Sequence, residues 1–398
     1  MIFFQLKLRK TWERFQLHLP QFKTYSIKEL SIFKNTVKFA KVELAFFAVP
    51  TDNFYSKKLT MRHQTTIKDI AKELHISKST VSRVLTGNPN VNEETRKAVL
   101  ALAQKLDYQK NIFARNLVTH KTNTIGIIVP EFMSSYFPKV IIGVQNIASK
   151  AGYNTIIAQS NENYETEVAN AKVMMANQVE GLIVSVTKET NNFDHLIAFQ
   201  RNEIPIVFFN RICEDMHVPK VVVDDYDGAF RAVEHLIVTG KKRIAHLAGP
   251  DNLSISRRRL NGYLAALRKY KIPVDEEIII PYDLKIDKVK TLIQQLFNLK
   301  CPPDALFAIN DPTAIEAIQV IKSMGIKIPE DIAIVGFSND EVSGLIEPSL
   351  TTISQPVQKI GETAADLIFK LINKEINPNS AIIKTLTTEL IIRHSTVR

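Results

Sequence analysis

Lys78, Ser79, Ser82 and Arg83 are spaced to share one side of a helix, and each carries a cationic or hydroxyl group able to hydrogen-bond. Small and basic side chains on an outward helical face fit a DNA major groove, where base edges present donors and acceptors. An ordinary helical pair with a solvated polar face would carry the same residues. A second set follows short apolar runs later in the chain. Asn210 and Arg211 follow IVFF, Asp224 and Asp225 follow VVV, Asn310 and Asp311 follow LFAI, and Ser338 and Asn339 follow VGF. Tyr136 and Phe137 lie just after the first such run as a possible stacking platform, and Arg259 ends the run Arg257-Arg258-Arg259 after Gly249-Pro250. Polar residues beyond the carboxyl ends of parallel strands gather where ligands bind. Arg and Asp there can make paired bonds to vicinal hydroxyls, which points to a sugar or sugar derivative. Each residue also has a plainer role. A polar residue after a strand is often only a helix cap, as Asp311 before Pro312 would be, and an Arg run is often a solvated face. Leu253 and Ile255, apolar and just before Arg259, suit an anionic or strongly polar ligand less.

The elements that position the first set are short helices. Ile67, Ile70, Ala71 and Leu74 recur at i, i+3, i+4 and i+7, with Thr66 as N-cap and Asp69 three residues on as a near capping box. The helix stops near His75, where a positive φ is expected. Ser77 then caps a second helix whose Val81, Val84 and Leu85 face inward. Gly87-Asn88-Pro89 breaks it, and Asn92 caps a third helix with Glu93 and Glu94 in its first turn and a stripe of Val99, Leu102, Ala103 and Leu106. Residues 111–124 read as a linker with a nascent helix. Its Ile112, Phe113 and Leu117 suit pairing of two copies, a wedge in a minor groove, or packing on the next domain.

The second set needs a different scaffold. From Asn123, unbroken apolar runs (Ile125 to Val129, Thr155 to Ala158, Leu182 to Val186, Ile206 to Phe209, Val221 to Val223, Ile244 to Ala248, Ala305 to Ile309, Ile332 to Phe337) alternate with helical segments such as Tyr226–Thr239, Ser256–Tyr270, Asp287–Phe297 and Pro312–Met324. That pattern means parallel sheet covered on both faces, and the segment is too long for one sheet, so two lobes are expected.

Charge separates the same regions. Residues 1–60 carry 11 Lys+Arg against 4 Asp+Glu, residues 61–122 carry 11 against 5, and the remainder carries 29 against 32. A basic front on a near-neutral body fits a polyanion met through the N-terminal part. Two cysteines, Cys213 and Cys301, make no disulfide framework or metal spacing, which suits a reducing cytoplasm. No apolar run reaches membrane-span length, so no membrane partner is expected. There is no Gly-rich phosphate loop, nucleophile elbow or CxxC, so neither an enzyme nor a cofactor is expected, and His246 inside a strand reads as core. Residues 1–60 alternate aromatics and lysines without a sustained period. They read as a non-native or disordered extension, with Met61 as the natural start; a solute-binding protein would need an export signal, and none is apparent.

The matching residues TIKDIAKEL, Ser77, Thr80-Val81-Ser82-Arg83-Val84-Leu85, NEETR, Tyr108 and Ala114-Arg115-Asn116-Leu117 resemble the LacI/GalR family of bacterial transcription regulators, and the similarity runs on to about residue 395. The resemblance implies a small all-α helix-turn-helix DNA-binding domain (61–109), a hinge helix or linker (110–122), and an α/β effector and dimerisation domain (123–398). The last would have two lobes of periplasmic-binding-protein type, each a doubly wound parallel sheet, with crossings near 224, 355 and 385. It implies that Lys78, Ser79 and Arg83 read base edges and that Leu117 is the hinge lever. Thr66, Ser77, Thr80, Ser82, Asn111 and Arg115 complete the expected DNA contacts. The expected effector contacts are Tyr136, Phe137, Arg211, Asp224, Arg259, Asn310, Asp311 and Ser338. The implied partners are a pseudo-palindromic double-stranded DNA operator, a second copy of the chain, and a small-molecule effector, a carbohydrate. Lys110 departs from the family's usual Pro, which loosens the entry to the hinge, and Ser338 departs from the family's frequent Asp.

Overall fold

The computed structural model describes residues 65–108 and 121–397. The chain divides into two compact units at Lys110–Asn111. The expectations placed on residues 1–60, Lys110, Asn111, Arg115 and Leu117 lie outside the described residues.

The first unit is three helices, α1 (Ile67–Glu73), α2 (Lys78–Leu85) and α3 (Glu93–Lys105). Each starts on a side-chain acceptor that satisfies N–H groups the helix leaves free. Asp69 Oδ2 accepts from the Thr66 N–H at 2.8 Å, Ser77 Oγ from the Thr80 N–H at 3.1 Å, and Asn92 Oδ1 from the Glu94 N–H at 2.9 Å. His75 takes the left-handed turn between α1 and α2 at φ 54°. Ile70, Ala71, Val81, Val84, Val99 and Ala103 form the small core, with Leu74, Leu85 and Leu102 packed against it. Leu106, expected on the α3 stripe, is exposed at 37%: it is the C-cap residue, where the helical face no longer continues.

The second unit holds two six-stranded sheets. The first is ordered β11-β5-β4-β3-β1-β2 and the second β12-β10-β9-β8-β6-β7. The strands, in chain order, are β1 (Thr124–Val129), β2 (Asn154–Gln159), β3 (Leu182–Val184), β4 (Ile206–Phe209), β5 (Lys220–Val223), β6 (Ile244–Ala248), β7 (Ile279–Pro281), β8 (Ala305–Ala308), β9 (Ala333–Ser338), β10 (Thr351–Ser354), β11 (Ile383–Leu386) and β12 (Glu389–Ile391). All pairings are parallel except β10 with β12. The chain therefore passes between the lobes three times: after β5 at Asp224, after β10 at Gln355–Pro356, and between β11 and β12 at Thr387–Thr388.

Helices cover both faces of each sheet, as continuous apolar strands require. The first lobe carries α4 (Tyr136–Lys150), α5 (Tyr164–Ala176), α6 (Asp194–Arg201) and α11 (Val357–Ile372); the second carries α7 (Asp225–Val238), α8 (Ser254–Lys269), α9 (Ile286–Phe297) and α10 (Asp311–Ser323). Helices α4 and α11 cross at a pair of glycines. A Cβ on Gly143 would strike the Gln358 carbonyl, and one on Gly361 would strike the Val140 carbonyl. One apolar cluster runs through both lobes under α4, α11, α7 and α8, and each sheet has its own core on the opposite face.

Candidate nucleic-acid interface and effector cleft

In the three-helix unit, burying Val81 and Val84 turns Lys78, Ser79 and Arg83 to solvent, because these positions lie on the opposite side of α2. Ser82 and Thr80 are half-buried. The Ser77 hydroxyl is already engaged, capping α2 and lying 2.7 Å from Ser79 Oγ and 2.8 Å from Thr80 Oγ1. The Thr66 hydroxyl donates to Asp69 at 2.7 Å. Ser77 and Thr66 thus have a helix-starting role beside any DNA contact, whereas Lys78 and Arg83 have no ion-pair partner among the described residues. Extended cations on the outer face of the second helix can reach base edges and phosphates.

In the two-lobed unit, a cleft of about 640 Å³, counting the space open to solvent, opens at the carboxyl ends of the strands. Of the expected effector contacts, Tyr136, Phe137, Arg211, Arg259, Asn310 and Ser338 line it. Tyr136 and Phe137 begin α4 and meet edge to face with centroids 5.1 Å apart. Burial pushes the Tyr136 hydroxyl well above the ordinary phenol range. Arg211 is buried, and its Nη1 donates to both carboxylate oxygens of Glu162 at 2.8 Å. Arg259, on α8, donates through Nε to Asp225 at 2.8 Å, and its guanidinium carbon lies 3.7 Å from the centre of the Phe337 ring. Burial pushes the Asp225 carboxyl up, while the Arg259 guanidinium beside it pulls the other way. Asn310 caps α10, its Oδ1 accepting from the Thr313 N–H at 2.9 Å. Ser338 holds φ 125°, a value that L-residues rarely adopt, and its Oγ accepts from Gln355 Nε2 at 3.0 Å. Several buried polar atoms here lack a partner: Tyr136 Oη, Arg211 Nε and Gln355 Oε1. Buried polar atoms are normally satisfied, so these atoms are available to a polar ligand.

Two expected contacts do not line the cleft. Asp224 caps α7, accepting from the Asp227 N–H at 3.0 Å. Asp311 is fully buried; its Oδ2 accepts from the Asp340 N–H at 2.8 Å and the Ser343 hydroxyl at 2.6 Å, and its Oδ1 from the Thr352 hydroxyl at 2.5 Å. Three donors leave this carboxylate little capacity for a ligand, and Gly336 is what lets it approach β9, since a Cβ there would strike Asp311 Oδ1. The N-cap of α10 is Asn310, one residue before the expected Asp311.

Glu162, Asp225, Asp340 and Gln355 were not among the expected contacts. Asp340 reaches across the cleft, its Oδ2 accepting from both the N–H and the hydroxyl of Ser135 at 2.9 Å, beside a 3.1 Å Lys139–Glu341 pair. On the other rim Lys188 Nζ donates to the Asp283 carbonyl at 2.6 Å, and Arg257 pairs with Glu214. The strand-end rule that found Arg211 would have found Glu162, which follows β2, and Asp340, two residues beyond Ser338. His246 is fully buried and stacked on Phe307, and burial lowers its pKa to about 4, so it is a core residue.

A helix-turn-helix reader and a two-lobed ligand clamshell on one chain define a DNA-binding transcriptional regulator. The family model of bacterial regulatory proteins of the lacI type matches residues 66–111, and that of periplasmic binding proteins and the sugar binding domain of the LacI family matches residues 122–393. The chain belongs to the LacI family. It is 33% identical over 318 residues to catabolite control protein A of Priestia megaterium, covering 80% of this chain and 95% of that one. It is also 33% identical over 332 residues to the transcriptional repressor CytR of Escherichia coli strain K12, covering 83% and 96%. A solved complex of the transcriptional regulator CelR with cellobiose matches with a TM-score of 0.64 and 26% identity over 83% of this chain and 99% of that chain. These relatives are transcriptional regulators. Among the described residues no helix is long and apolar enough to cross a membrane.

Proposed function

We propose that the protein is a cytoplasmic repressor that binds a pseudo-palindromic operator as a homodimer and is switched by a carbohydrate. Lys78, Ser79 and Arg83 read base edges, helped by Ser82, while Thr66, Ser77 and Thr80 lie beside the backbone. Symmetric half-sites follow from a symmetric dimer. The effector sits among Tyr136, Phe137, Arg211, Arg259, Asn310 and Ser338. It shifts the balance between lobe arrangements, and DNA affinity follows by linkage. Binding, not bond-making, is the work done.

One observation carries this reading: a strand-end cleft in which Tyr136 Oη, Arg211 Nε and Gln355 Oε1 are buried without partners. A sugar hydroxyl both donates and accepts, so a few hydroxyls satisfy all three. The sugar-bound CelR structure supports the same class of ligand. The test is selection of duplexes from a random pool by the full-length protein, repeated with a panel of sugars. Recovery of an inverted repeat whose affinity changes at least tenfold with one sugar is expected. Recovery of no preferred duplex would sink the proposal, and an operator indifferent to every sugar would sink its effector half.

A further inference from the structure

We infer that the cleft selects a neutral carbohydrate and excludes sugar acids and sugar phosphates, and that Glu162 is the positioning residue that sets this preference by neutralising Arg211. The inference rests on the carbohydrate reading above and adds the charge class.

Each cation lining the cleft is already paired with a carboxylate of the protein. Arg211 pairs with Glu162 at 2.8 Å, Arg259 with Asp225 at 2.7 Å and Lys139 with Glu341 at 3.1 Å. The first two pairs are largely withdrawn from water, so solvent and salt screen them little. Two further carboxylates on the lining meet only neutral donors among the described residues. Asp340 accepts from Ser135 and from the Val342 N–H, and Glu131 accepts from the N–H and hydroxyl of Ser134. Among these side chains the carboxylates outnumber the cations, so their summed charge at the cleft is negative. A ligand carboxylate or phosphate would meet that negative charge, and the Arg211 charge that would attract it is already neutralised by Glu162. A hydroxyl would need no such charge, because Arg211 Nε, Tyr136 Oη and Gln355 Oε1 are left open.

Glu162 is held in place for this. Asn161 and Glu162 are consecutive left-handed residues at φ 54° and 56°, uncommon for non-glycine side chains. Glu162 Oε2 also accepts from the Lys188 N–H at 3.0 Å, which fixes the carboxylate from a second side. Backbone strain of this kind persists only where the surroundings enforce it.

The experiment pairs neutral sugars with their anionic counterparts: pentoses, hexoses and disaccharides against the matching uronates and phosphates. Each is titrated calorimetrically into the full-length protein and into Glu162→Gln. The amide keeps an oxygen for the Lys188 N–H but removes the charge. The wild type should bind a neutral member and bind its anionic partner at least tenfold more weakly; Glu162→Gln should gain at least tenfold for the anion while changing little for the neutral sugar. Wild-type protein that takes the anion as tightly as the neutral parent would overturn the charge preference. A folded Glu162→Gln, checked by a cooperative thermal transition and a native circular dichroism spectrum, that gains nothing for anions would overturn the part assigned to Glu162. Binding of no sugar, neutral or anionic, to either protein would instead overturn the carbohydrate reading beneath it.

Discussion

The two regions that would contact ligands treat their arginines in opposite ways. Arg83 on α2 projects into solvent with no ion-pair partner among the described residues, whereas Arg211 and Arg259 in the cleft are buried and paired with carboxylates of their own chain. An exposed cation costs little to keep and is ready for a polyanion, from which it releases counterions. A buried cation without a counter-charge would be costly, so the protein supplies one and leaves only directional hydrogen-bonding capacity for the ligand. The same residue type is thus left available for charge attraction in one unit and for hydroxyl geometry in the other.

The sharpest way to break that contrast is Arg259→Ala. It would leave Asp225 buried without its partner, and removing one member of a buried pair costs about 3–5 kcal/mol. For a unit of this size that is on the order of 10 °C in melting temperature. Asp225→Asn in the same chain should recover much of the loss, because the uncompensated charge is gone. Thermal unfolding of the two variants reads this directly. A single variant as stable as the wild type would mean that the pair carries no structural burden, and the contrast with α2 would lose its basis.

How far such pairs could be foreseen depends on how each residue is held. The three-helix unit was legible because caps and apolar spacing act within one turn: Ser77, Asn92 and the left-handed His75 can all be read locally. Strands β1, β3, β4, β6, β8 and β9 were legible because central parallel strands are apolar on both faces. The sequence reading missed β10, whose TTIS run buries hydroxyl side chains, and the edge strands β7, β11 and β12, whose residues are exposed or only half-buried. In the cleft, the strand-end rule located the right loops but not the right partners. It could not say that Asp225 and not its neighbour Asp224 meets Arg259, since the two differ only in the direction each takes at the start of α7. Nor could it foresee that Asp311 would be spent on holding the 340–343 turn and β10, because those contacts join residues 29, 32 and 41 positions apart.

A smaller effect tests the exposed side. Arg83→Ala should leave folding nearly unchanged, since the side chain is exposed, and should cost about 1–3 kcal/mol of preference for the operator over random duplex if it reads a base edge. Fluorescence anisotropy with and without bulk competitor separates the two affinities. Equal weakening on both duplexes would make Arg83 a phosphate contact and move base reading to Lys78 and Ser79.

The smallest expected effect is at Ser77, where a helix-starting role and a proposed DNA-facing position coincide. Ser77→Ala removes the acceptor for the Thr80 N–H and should destabilise the three-helix unit by about 1 kcal/mol. Hydrogen exchange of the α2 amides would report it as faster opening. Ser77→Asp restores a capping oxygen and adds a carboxylate that the helix N-terminus favours, so α2 should exchange as slowly as in the wild type. If α2 starts against a duplex, that same carboxylate faces phosphate, and DNA affinity should fall while stability does not, most strongly at low salt where the repulsion is least screened. A Ser77→Asp protein that bound DNA normally at low salt would show that the start of α2 points away from the duplex. The division between an α2 open to polyanions and a cleft closed to them would then have to rest on Lys78 and Arg83 alone.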